Sequence, residues 1–376
     1  MKKTLILSVA LCAVFPMFAD LSGDGYYRVQ NLVTDRYVSV VDNRGRIDFV
    51  ATTADLQAIT LDKRFEVVSS DAASVLYIDK VGSQYNISSQ GTSVHAIIDH
   101  YVTIEQNGSA NGQKLYMCYG SYDGAVRYLG DGNNMGGNLG NMSTNTTGNY
   151  RKWYIKPVVA DGDNYFGVEP DADATAGEYS GLYTTLYASF PCLPYSEGMK
   201  FYTVDIVDSG FVTLKEINGV VPAATPIIVK CVGETSSDNR LNVGGSGVAV
   251  DGNASLKGVY FNCSKDGHIN RTAYNSATMR VLGVCQDGSL GFVQAPISYI
   301  PANTVYLTVP AGSPSEYKCV TEEEYKAGVD EVGIDAKPKT VYTVTGIKIG
   351  ESMSSEEIKS LPSGMYIVGG KKVILR

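Results

Sequence analysis

Apolar and polar residues alternate along short runs over most of the chain, and glycine, asparagine and aspartate separate these runs. Residues 25–31 and 36–43 alternate on either side of a short polar stretch, which predicts a β-hairpin. Related runs recur at residues 75–79 and 126–131, and residues 152–157 are expected to pair back onto the opening strand. The pattern predicts an all-β chain whose first segment repeats one strand motif three times.

A second internal repeat lies in the middle of the chain. Residues 221–229 and 300–309 each place a proline, Pro222 or Pro301, shortly before an apolar run. Proline is tolerated there because its missing backbone donor is not needed ahead of a strand. Short runs between turns predict an antiparallel β-sandwich over residues 165–320.

The N-terminal segment has a different pattern. Residues 1–19 combine Lys2 and Lys3 with an apolar run and a final small residue, which predicts a cleavable signal peptide. No later run reaches the roughly 20 apolar residues that a membrane-spanning helix needs. We therefore expect an exported protein with no transmembrane segment in its mature chain.

A helix signal and a linker precede the C-terminal segment. Thr321, followed three residues later by Glu324, predicts a short helical cap, and residues 321–340 are assigned to this helix and a linker. Residues 341–376 form three predicted strands, with Gly369 and Gly370 in a hairpin turn. They are too few for an independent core.

The first segment opens with Gly-Tyr-Tyr-Arg-Val-Gln-Asn, repeats strands in which tyrosine is followed by apolar residues, and closes with Trp-Tyr-Ile. On these motifs, residues 20–158 resemble a ricin-type β-trefoil lectin domain. The resemblance implies a β-trefoil-like fold with sugar sites in which an aspartate binds hydroxyl groups and an aromatic ring stacks on the sugar. Aligning the repeats places Ser39, Asp79 and Gly130 at the aspartate position, so Asp79 is the candidate ligand.

Glycine and amide side chains dominate the loop at residues 130–150. A long loop in a compact domain is usually either functional or disordered. Asp131, Asn133 and Asn134 are therefore further candidates for hydrogen bonds to sugar hydroxyls, and the alternative is a solvated surface loop.

The tail contains a Val-Tyr strand that leads to glycine, the run Leu-Pro-Ser-Gly-Met-Tyr-Ile-Val and a basic Lys-Lys-Val end. It resembles the C-terminal sorting domain of type IX secretion. The resemblance implies contact with the export machinery, passage through the outer membrane, and release or anchoring at the cell surface. A periplasmic location is the alternative.

Composition narrows the choice of partner. The formal net charge is -8, and lysine and arginine do not cluster, which argues against nucleic acid because phosphate binding requires clustered basic residues. Six of the seven cysteines fall after the predicted signal peptide, and we expect some of them to be free, buried thiols.

Sequence motifs indicate no catalytic residue, metal site or cofactor. His95, His100 and His268 lack the convergent spacing of zinc ligands, and the segments around Ser246 and Ser289 miss the spacing of a serine nucleophile and are interpreted as turns. A glycosidase needs two carboxylates across a cleft, and no pair among the 39 acidic residues is distinguished by its sequence context.

These observations favour an exported or cell-surface, non-enzymatic protein that binds a glycan or a host surface. Two alternatives remain. One is a structural surface protein without a sugar site, which the lack of aspartate in two of the three repeats favours. The other is a secreted hydrolase of a family that the sequence does not reveal.

Overall fold

A computed structural model of the protein describes residues 21–40, 59–62, 65–93, 101–122, 125–131, 141–143, 148–261, 271–325, 338–362 and 364–375. The described chain consists mainly of β-strands in curled sheets, with few and short helices. The prediction of an all-β protein is confirmed. The predicted signal peptide lies outside the described residues. Within them, no helix has the length and hydropathy required to cross a membrane.

Eleven of the described strands form the first sheet. They are β1 (Gly25–Asn31), β2 (Tyr37–Val40), β3 (Ile59–Asp62), β4 (Leu76–Val81), β5 (Gln84–Ser89), β6 (Thr92–Ser93), β7 (Thr103–Ala110), β8 (Gln113–Tyr122), β9 (Ala125–Gly130), β10 (Asn141–Ser143) and β11 (Trp153–Pro157). The main path runs β10-β9-β8-β11-β1-β4-β5-β6. Strand β2 joins β1 to β3, and β7 pairs with β8. A short helix, α1 (Phe65–Val68), and two 3-10 helices, Ala72–Ser74 and Gly148–Arg151, complete this part.

Two predicted strand pairings of this sheet are confirmed. Strand β2 returns antiparallel to β1, with Gln30 opposite Tyr37. The closing strand β11 lies antiparallel to β1, so that residues 27–31 pair with residues 153–157. The first sheet therefore pairs two strands that are more than a hundred residues apart in the chain.

Alternation places one face of the first sheet in a hydrophobic core. Tyr27 and Val29 from β1 pack there with Ile78 from β4 and Trp153 from β11. The indole N–H of Trp153 donates to the carbonyl oxygen of Leu129 at 2.9 Å, which satisfies the only polar group of a fully buried side chain. The core of the first sheet therefore combines strands from all three predicted repeats.

Residues 166–320 form two further sheets. Their strands are β12 (Phe166–Gly167), β13 (Ala172–Ala174), β14 (Gly181–Leu186), β15 (Cys192–Pro194), β16 (Lys200–Asp208), β17 (Phe211–Ile217), β18 (Ile227–Lys230), β19 (Arg240–Val243), β20 (Leu256–Gly258), β21 (Met279–Val284), β22 (Leu290–Val293), β23 (Val305–Thr308) and β24 (Glu316–Val320). The smaller sheet has the order β12-β19-β15 and the larger one β13-β14-β18-β16-β17-β24-β22-β21-β23-β20. The predicted sandwich-like architecture is confirmed.

The prediction that this sandwich is antiparallel throughout is wrong at one position. Strand β24 pairs parallel to β17, with Val212 opposite Cys319. The chain forms six other strands before it returns to β17, and a parallel pair requires such a long crossover, whereas a tight turn joins only antiparallel neighbours.

The internal repeat of this region is visible in its backbone. Ala224 and Asn303 occupy equivalent positions of the two copies, and both adopt a left-handed conformation, with φ of 59° and 57°. Strands β18 and β23 follow them directly. Both turns contact one loop, because the amide of Ala224 donates to Ala188 and the amide of Tyr187 donates to Asn303. The two copies of the repeat thus lie on either side of the connection between β14 and β15, which contains Tyr187 and Ala188.

Contacts join the first sheet to residues 165–320, which we call the second region. Phe261 belongs to the hydrophobic core of the first sheet. The side-chain amide of Gln90, which is 1 % exposed, donates to the carbonyl oxygen of Tyr260 at 2.6 Å and to the side chain of Asn303 at 2.8 Å. The two regions therefore share both apolar packing and buried hydrogen bonds.

Four strands, where three were predicted, form the sheet of the C-terminal segment. They are β25 (Lys339–Thr343), β26 (Lys348–Met353), β27 (Gly364–Val368) and β28 (Lys371–Leu375), in the order β26-β25-β27-β28. A helix missed by the sequence analysis, α2 (Ser355–Lys359), begins with a capping box between Ser354 and Glu357. Gly369 and Gly370 form the predicted hairpin turn, with φ of 58° and 84°.

The tail has a small hydrophobic cluster of its own, so the prediction that it lacks a core is corrected. Val341, Ile358, Tyr366 and Val368 are buried together. Helix α2 supplies Ile358, and this contribution could not be foreseen without the helix. The predicted cap before the linker is also present, because Thr321 and Glu324 exchange side-chain-to-backbone hydrogen bonds.

Candidate functional site

An aromatic pair lies on the face of the first sheet that points away from its core. Tyr26 on β1 stands directly opposite Tyr77 on β4. Their ring centroids are 5.0 Å apart and the ring planes are inclined by 44°. Both side chains are partly exposed. We call Tyr26 and Tyr77 the first tyrosine pair; it offers an accessible aromatic surface.

Two carboxylates flank this pair. Asp79 follows Tyr77 by two residues on β4, and alternation places its side chain on the same face. Asp24 lies just before β1 and accepts a hydrogen bond from the amide of Lys80 at 2.8 Å. Desolvation raises the pKa of the Tyr77 hydroxyl, and the negative charges of Asp24 and Asp79 raise it further. The tyrosine therefore stays neutral between two acceptors.

An amide completes the group of polar side chains. Asn86 stands opposite Asp79 across the hairpin of β4 and β5, and its side-chain NH₂ donates to Oδ1 of Asp79 at 3.0 Å. This hydrogen bond orients the carboxylate. In the described part of the chain no other donor contacts Asp79, so its second oxygen is available to a ligand.

Residues of the second region pack against Tyr26, one member of the first tyrosine pair. The ring of Tyr26 packs edge-on against Phe190, with centroids 6.1 Å apart. Gly244 approaches the same ring so closely that a Cβ at this position would lie 3.5 Å from it. Packing on this side restricts the rotamers of Tyr26, so one partner of the pair is preorganised.

A buried arginine anchors strand β1 next to this site. Arg28 is fully buried, and its guanidinium donates to Ser74, to the carbonyl oxygen of Val68 and to the carbonyl oxygen of Tyr165. Burial lowers the pKa of Arg28 to about 10, and the nearby Asp71 carboxylate partly opposes this shift. The group remains protonated near neutral pH and ties the first sheet to the second region.

The two other repeat positions carry no accessible acid. Ser39 is buried, and its hydroxyl donates to Asp71 at 2.5 Å. Gly130 ends β9. Of the three aligned positions, only Asp79 places a partly exposed carboxylate beside an aromatic pair.

Asp131 has a different role from the one predicted. It is fully buried, and its carboxylate accepts hydrogen bonds from the guanidinium of Arg36 and the hydroxyl of Thr34. The interaction with Arg36 uses both carboxylate oxygens. Asp131 is thus an internal ion-pair partner at the start of the loop, and it is not a sugar ligand. Asn133 and Asn134 lie outside the described residues.

Comparison of the chain with family models, curated proteins and solved structures gives no match.

The likeness of residues 20–158 to ricin-type lectins, and that of the tail to sorting domains, therefore rests on the sequence motifs alone. The functional argument for this protein has to come from the side chains that its own fold brings together. The first tyrosine pair with Asp79 and Asn86 is one group that the fold assembles on an accessible face.

The described residues do not assemble the metal site or the serine nucleophile that the sequence analysis considered. Within the described residues no three histidine, cysteine or acidic side chains converge as metal ligands, and the three histidines lie outside those residues. Ser289 is buried in the turn between β21 and β22, and its hydroxyl donates to Asp287. Gly244 and Gly245, next to Ser246, have positive φ values, as expected for a turn. Neither serine is presented as a nucleophile.

The described cysteines are free and buried, as expected for some of them. They are Cys118, Cys192, Cys231, Cys285 and Cys319. Burial raises the pKa of Cys118 and of Cys192 to about 12. A thiol is nucleophilic only as a thiolate, so these side chains act as apolar packing groups.

Four members of the candidate site were missed in the sequence analysis: Asp24, Tyr26, Tyr77 and Asn86. Asp24, Tyr26 and Asn86 become neighbours of Asp79 only through strand register. A signal for Asn86 was present, because Gly82 and Ser83 make a two-residue turn and Asp79 and Asn86 are equally distant from it. No comparable local signal connects Tyr26 with Tyr77.

Proposed function

We propose that this protein binds glycans at the first tyrosine pair, with Asp79 and Asn86 as hydrogen-bonding groups. The observation that supports this is the arrangement of an aromatic pair beside a carboxylate with one available oxygen. A sugar ring presents an apolar C–H face that packs on aromatic rings, and hydroxyl groups at its edge. Those hydroxyls donate to a carboxylate and accept from an amide.

The geometry suits recognition better than hydrolysis. Asp79 is partly exposed and accepts a hydrogen bond from Asn86, and Asp24 is exposed and accepts one from the backbone amide of Lys80, so neither lies in the apolar pocket that a glycosidase acid occupies. A general acid for glycoside cleavage requires a carboxyl group that stays protonated. Binding without catalysis is therefore our proposal for this site.

The β-trefoil arrangement of residues 20–158 is part of the same proposal. It is supported by the repeated strands and by the pairing of β11 with β1, which closes the segment. In this proposal Asp79 represents the one repeat that retained its sugar-binding acid. The accompanying biological role is attachment to a glycan-bearing surface.

The test is glycan binding by the whole purified protein, because Phe261 lies in the core of the first sheet and a shorter fragment would lack it. A glycan array identifies a ligand, and titration calorimetry then compares variants. Asp79→Ala should weaken binding by at least about tenfold, the effect of losing one charge-assisted hydrogen bond. Tyr77→Ala should have a similar or larger effect.

Asp173→Ala is a matched control, since Asp173 is an exposed strand aspartate on β13 in the second region. It should leave binding unchanged. The fluorescence of Trp153, the single tryptophan, verifies that each variant is folded. If folded wild-type protein binds no glycan, or Asp79→Ala binds as well as wild type, the proposal is wrong and a structural surface role takes its place.

Export to the cell surface is proposed on separate grounds. It is supported by the signal-like residues 1–19 and by the C-terminal sheet, which has its own hydrophobic cluster. Deleting residues 338–376 should leave the protein inside the cell envelope, as measured by protease accessibility on intact cells. Unchanged surface exposure of the shortened protein would contradict a sorting role for the tail.

A further inference from the structure

A second tyrosine pair lies elsewhere on the first sheet. Tyr119 on β8 stands directly opposite Tyr128 on β9. The ring centroids are 5.3 Å apart and the planes are inclined by 45°, close to the values of the first tyrosine pair. Both rings are partly exposed, and Val126, on the same face of β9, is 50 % exposed. We call Tyr119 and Tyr128 the second tyrosine pair.

An arginine extends this aromatic surface at one end. The guanidinium carbon of Arg151 lies 4.6 Å from the centroid of the Tyr128 ring. Arg151 is the last residue of the 3-10 helix Gly148–Arg151 and is partly exposed. In the part of the chain that the structure describes, its N–H groups have no hydrogen-bond acceptor. The stacked ring holds the guanidinium in place while its donors remain available.

A carboxylate lies at the other end. Glu105 on β7 is exposed and accepts a hydrogen bond from the hydroxyl of Tyr119 at 3.1 Å. Arg151, Tyr128, Tyr119 and Glu105 thus form a row across the sheet, positive at one end and negative at the other. From β9 to β7 the row covers two strand spacings, roughly 10 Å, which is about the length of a disaccharide.

The chemistry of this row selects a class of ligand. The aromatic rings suit an apolar ring face, and a free guanidinium binds a carboxylate through two parallel hydrogen bonds. A polyphosphate chain fits poorly, because it requires several clustered basic side chains and they are not clustered here. We infer that the second tyrosine pair with Arg151 is a binding site for a saccharide that carries a carboxylate, such as a uronic acid.

This site differs from the first tyrosine pair in its charge. Two acids flank Tyr77, whereas an arginine stacks on Tyr128. The two surfaces therefore recognise different sugars, and a chain of alternating neutral and acidic sugars offers ligands to both. The inference does not depend on sugar binding at Asp79.

The test compares two forms of one probe. A hyaluronan tetrasaccharide carries glucuronate carboxylates, and its carboxyl-reduced form keeps the same rings without the charge. In titration calorimetry on the whole protein, carboxyl reduction should weaken binding by at least about tenfold. Arg151→Gln should weaken binding of the acidic form by a similar factor and leave the reduced form unchanged. Tyr128→Ala should weaken binding of both forms.

Two control variants separate this site from others. Arg271→Gln alters another arginine over a tyrosine ring, at 5.1 Å from Tyr299 in the second region, and should have no effect. Asp79→Ala should leave the preference for the acidic over the reduced form unchanged, so failure of the first site and failure of the second are distinguishable. Trp153 fluorescence again reports folding.

Three results would overturn the inference. Folded wild-type protein shows no binding of the acidic tetrasaccharide; the acidic and reduced forms bind equally well; or Arg151→Gln weakens both forms to the same extent. The last result would mean that Arg151 only supports the ring of Tyr128.

Discussion

The two tyrosine pairs have almost the same ring geometry in different surroundings. The first tyrosine pair is packed from behind by Phe190 and lies next to the buried Arg28, so residues from both regions of the protein position it. The second tyrosine pair lies on an open sheet face, and Arg151 and Glu105 are its neighbours. Cross-strand register alone creates such a pair, and the charged neighbours are what distinguish the two pairs.

Each pair also has an arginine that binds buried acceptors close to its strand. Arg28 lies two residues after Tyr26 on β1, and the ion pair of Arg36 with Asp131 lies at the end of β9, which carries Tyr128. Arg28 uses hydroxyl and carbonyl acceptors from separate segments, and Arg36 uses one carboxylate. Removing these anchors tests how each pair is held.

The largest expected effect is that of Arg28→Met. The substitution removes the guanidinium donor to Ser74 Oγ and to the carbonyl oxygen of Tyr165, and one of the three donors to the carbonyl oxygen of Val68. It should lower the free energy of unfolding by about 4 kcal/mol. Urea unfolding followed by Trp153 fluorescence measures this change. Glycan binding at the first tyrosine pair should fall as well, because Tyr26 shares the strand.

Arg280→Met is the control for this variant. Arg280 is equally buried, but its acceptors are carbonyl oxygens of the second region, among them Pro314 and Ser276. It should destabilise the protein without selective loss at the first tyrosine pair. A loss of less than about 1.5 kcal/mol for Arg28→Met would show that Arg28 is not an anchor.

Asp131→Asn should destabilise the protein by roughly 3 kcal/mol, because it leaves the guanidinium of Arg36 without its buried carboxylate. The same urea experiment measures it. Lys200→Gln removes an ion pair with Glu216 whose side chains are 47 % and 39 % exposed, and this control should destabilise the protein much less than Asp131→Asn. Equal losses in the two variants would refute an anchoring role for Asp131.

A pH effect is expected from the carboxyl group next to Arg28. Desolvation raises the pKa of Asp71 in the folded protein, despite hydrogen bonds from Ser39 and Ala73 that lower it. A raised folded-state pKa means that stability is greatest below the unfolded-state pKa and is lost as pH rises through the folded-state value. The loss is about 1.4 kcal/mol for each unit between the two values.

Asp71→Asn should abolish this part of the pH dependence, as measured by thermal unfolding from acidic to neutral pH. Asp287→Asn is the contrasting control, because the hydrogen bond from Lys318 holds the pKa of Asp287 below its usual range. For that carboxylate the stabilisation is present at neutral pH and is lost on acidification. If wild type and Asp71→Asn show parallel pH profiles, the carboxyl group of Asp71 does not contribute.

The smallest effect concerns the rings themselves. Double-mutant cycles with leucine at Tyr26 and Tyr77, and at Tyr119 and Tyr128, should each give a coupling energy of about 1 kcal/mol. Similar values are expected because the centroid distances, 5.0 and 5.3 Å, are similar. A coupling near zero in the second pair alone would show that Arg151 has replaced Tyr119 as the main partner of Tyr128.

The sequence allowed the strand pairings with the clearest alternation to be predicted. The opening strand was recognised because Tyr27 and Val29 alternate with the polar residues Arg28 and Gln30. The helix α2 was missed although Ser354 and Glu357 form a recognisable capping pattern. The three predicted strands of the tail therefore did not include Ile358, which the helix contributes to the hydrophobic cluster.

The alternation pattern did not show which polar strand faces are buried against another region of the protein. Arg28 and Gln30 occupy polar positions of β1, but both are buried. The pattern of one strand cannot distinguish a face in water from a face against another region of the protein. The same limit applies to the three aligned tyrosines: Tyr37 is buried against Phe65, while Tyr77 and Tyr128 are partly exposed.

The hydrogen bond between Gln90 and Asn303 joins residues that are 213 positions apart. When a chain emerges gradually, with its N-terminus first, the partner of Gln90 appears only after most of the protein has been released. Contacts over such separations slow folding because the loop between them must close first. We therefore expect the first sheet to reach its final state late, only after residue 303 has been synthesised.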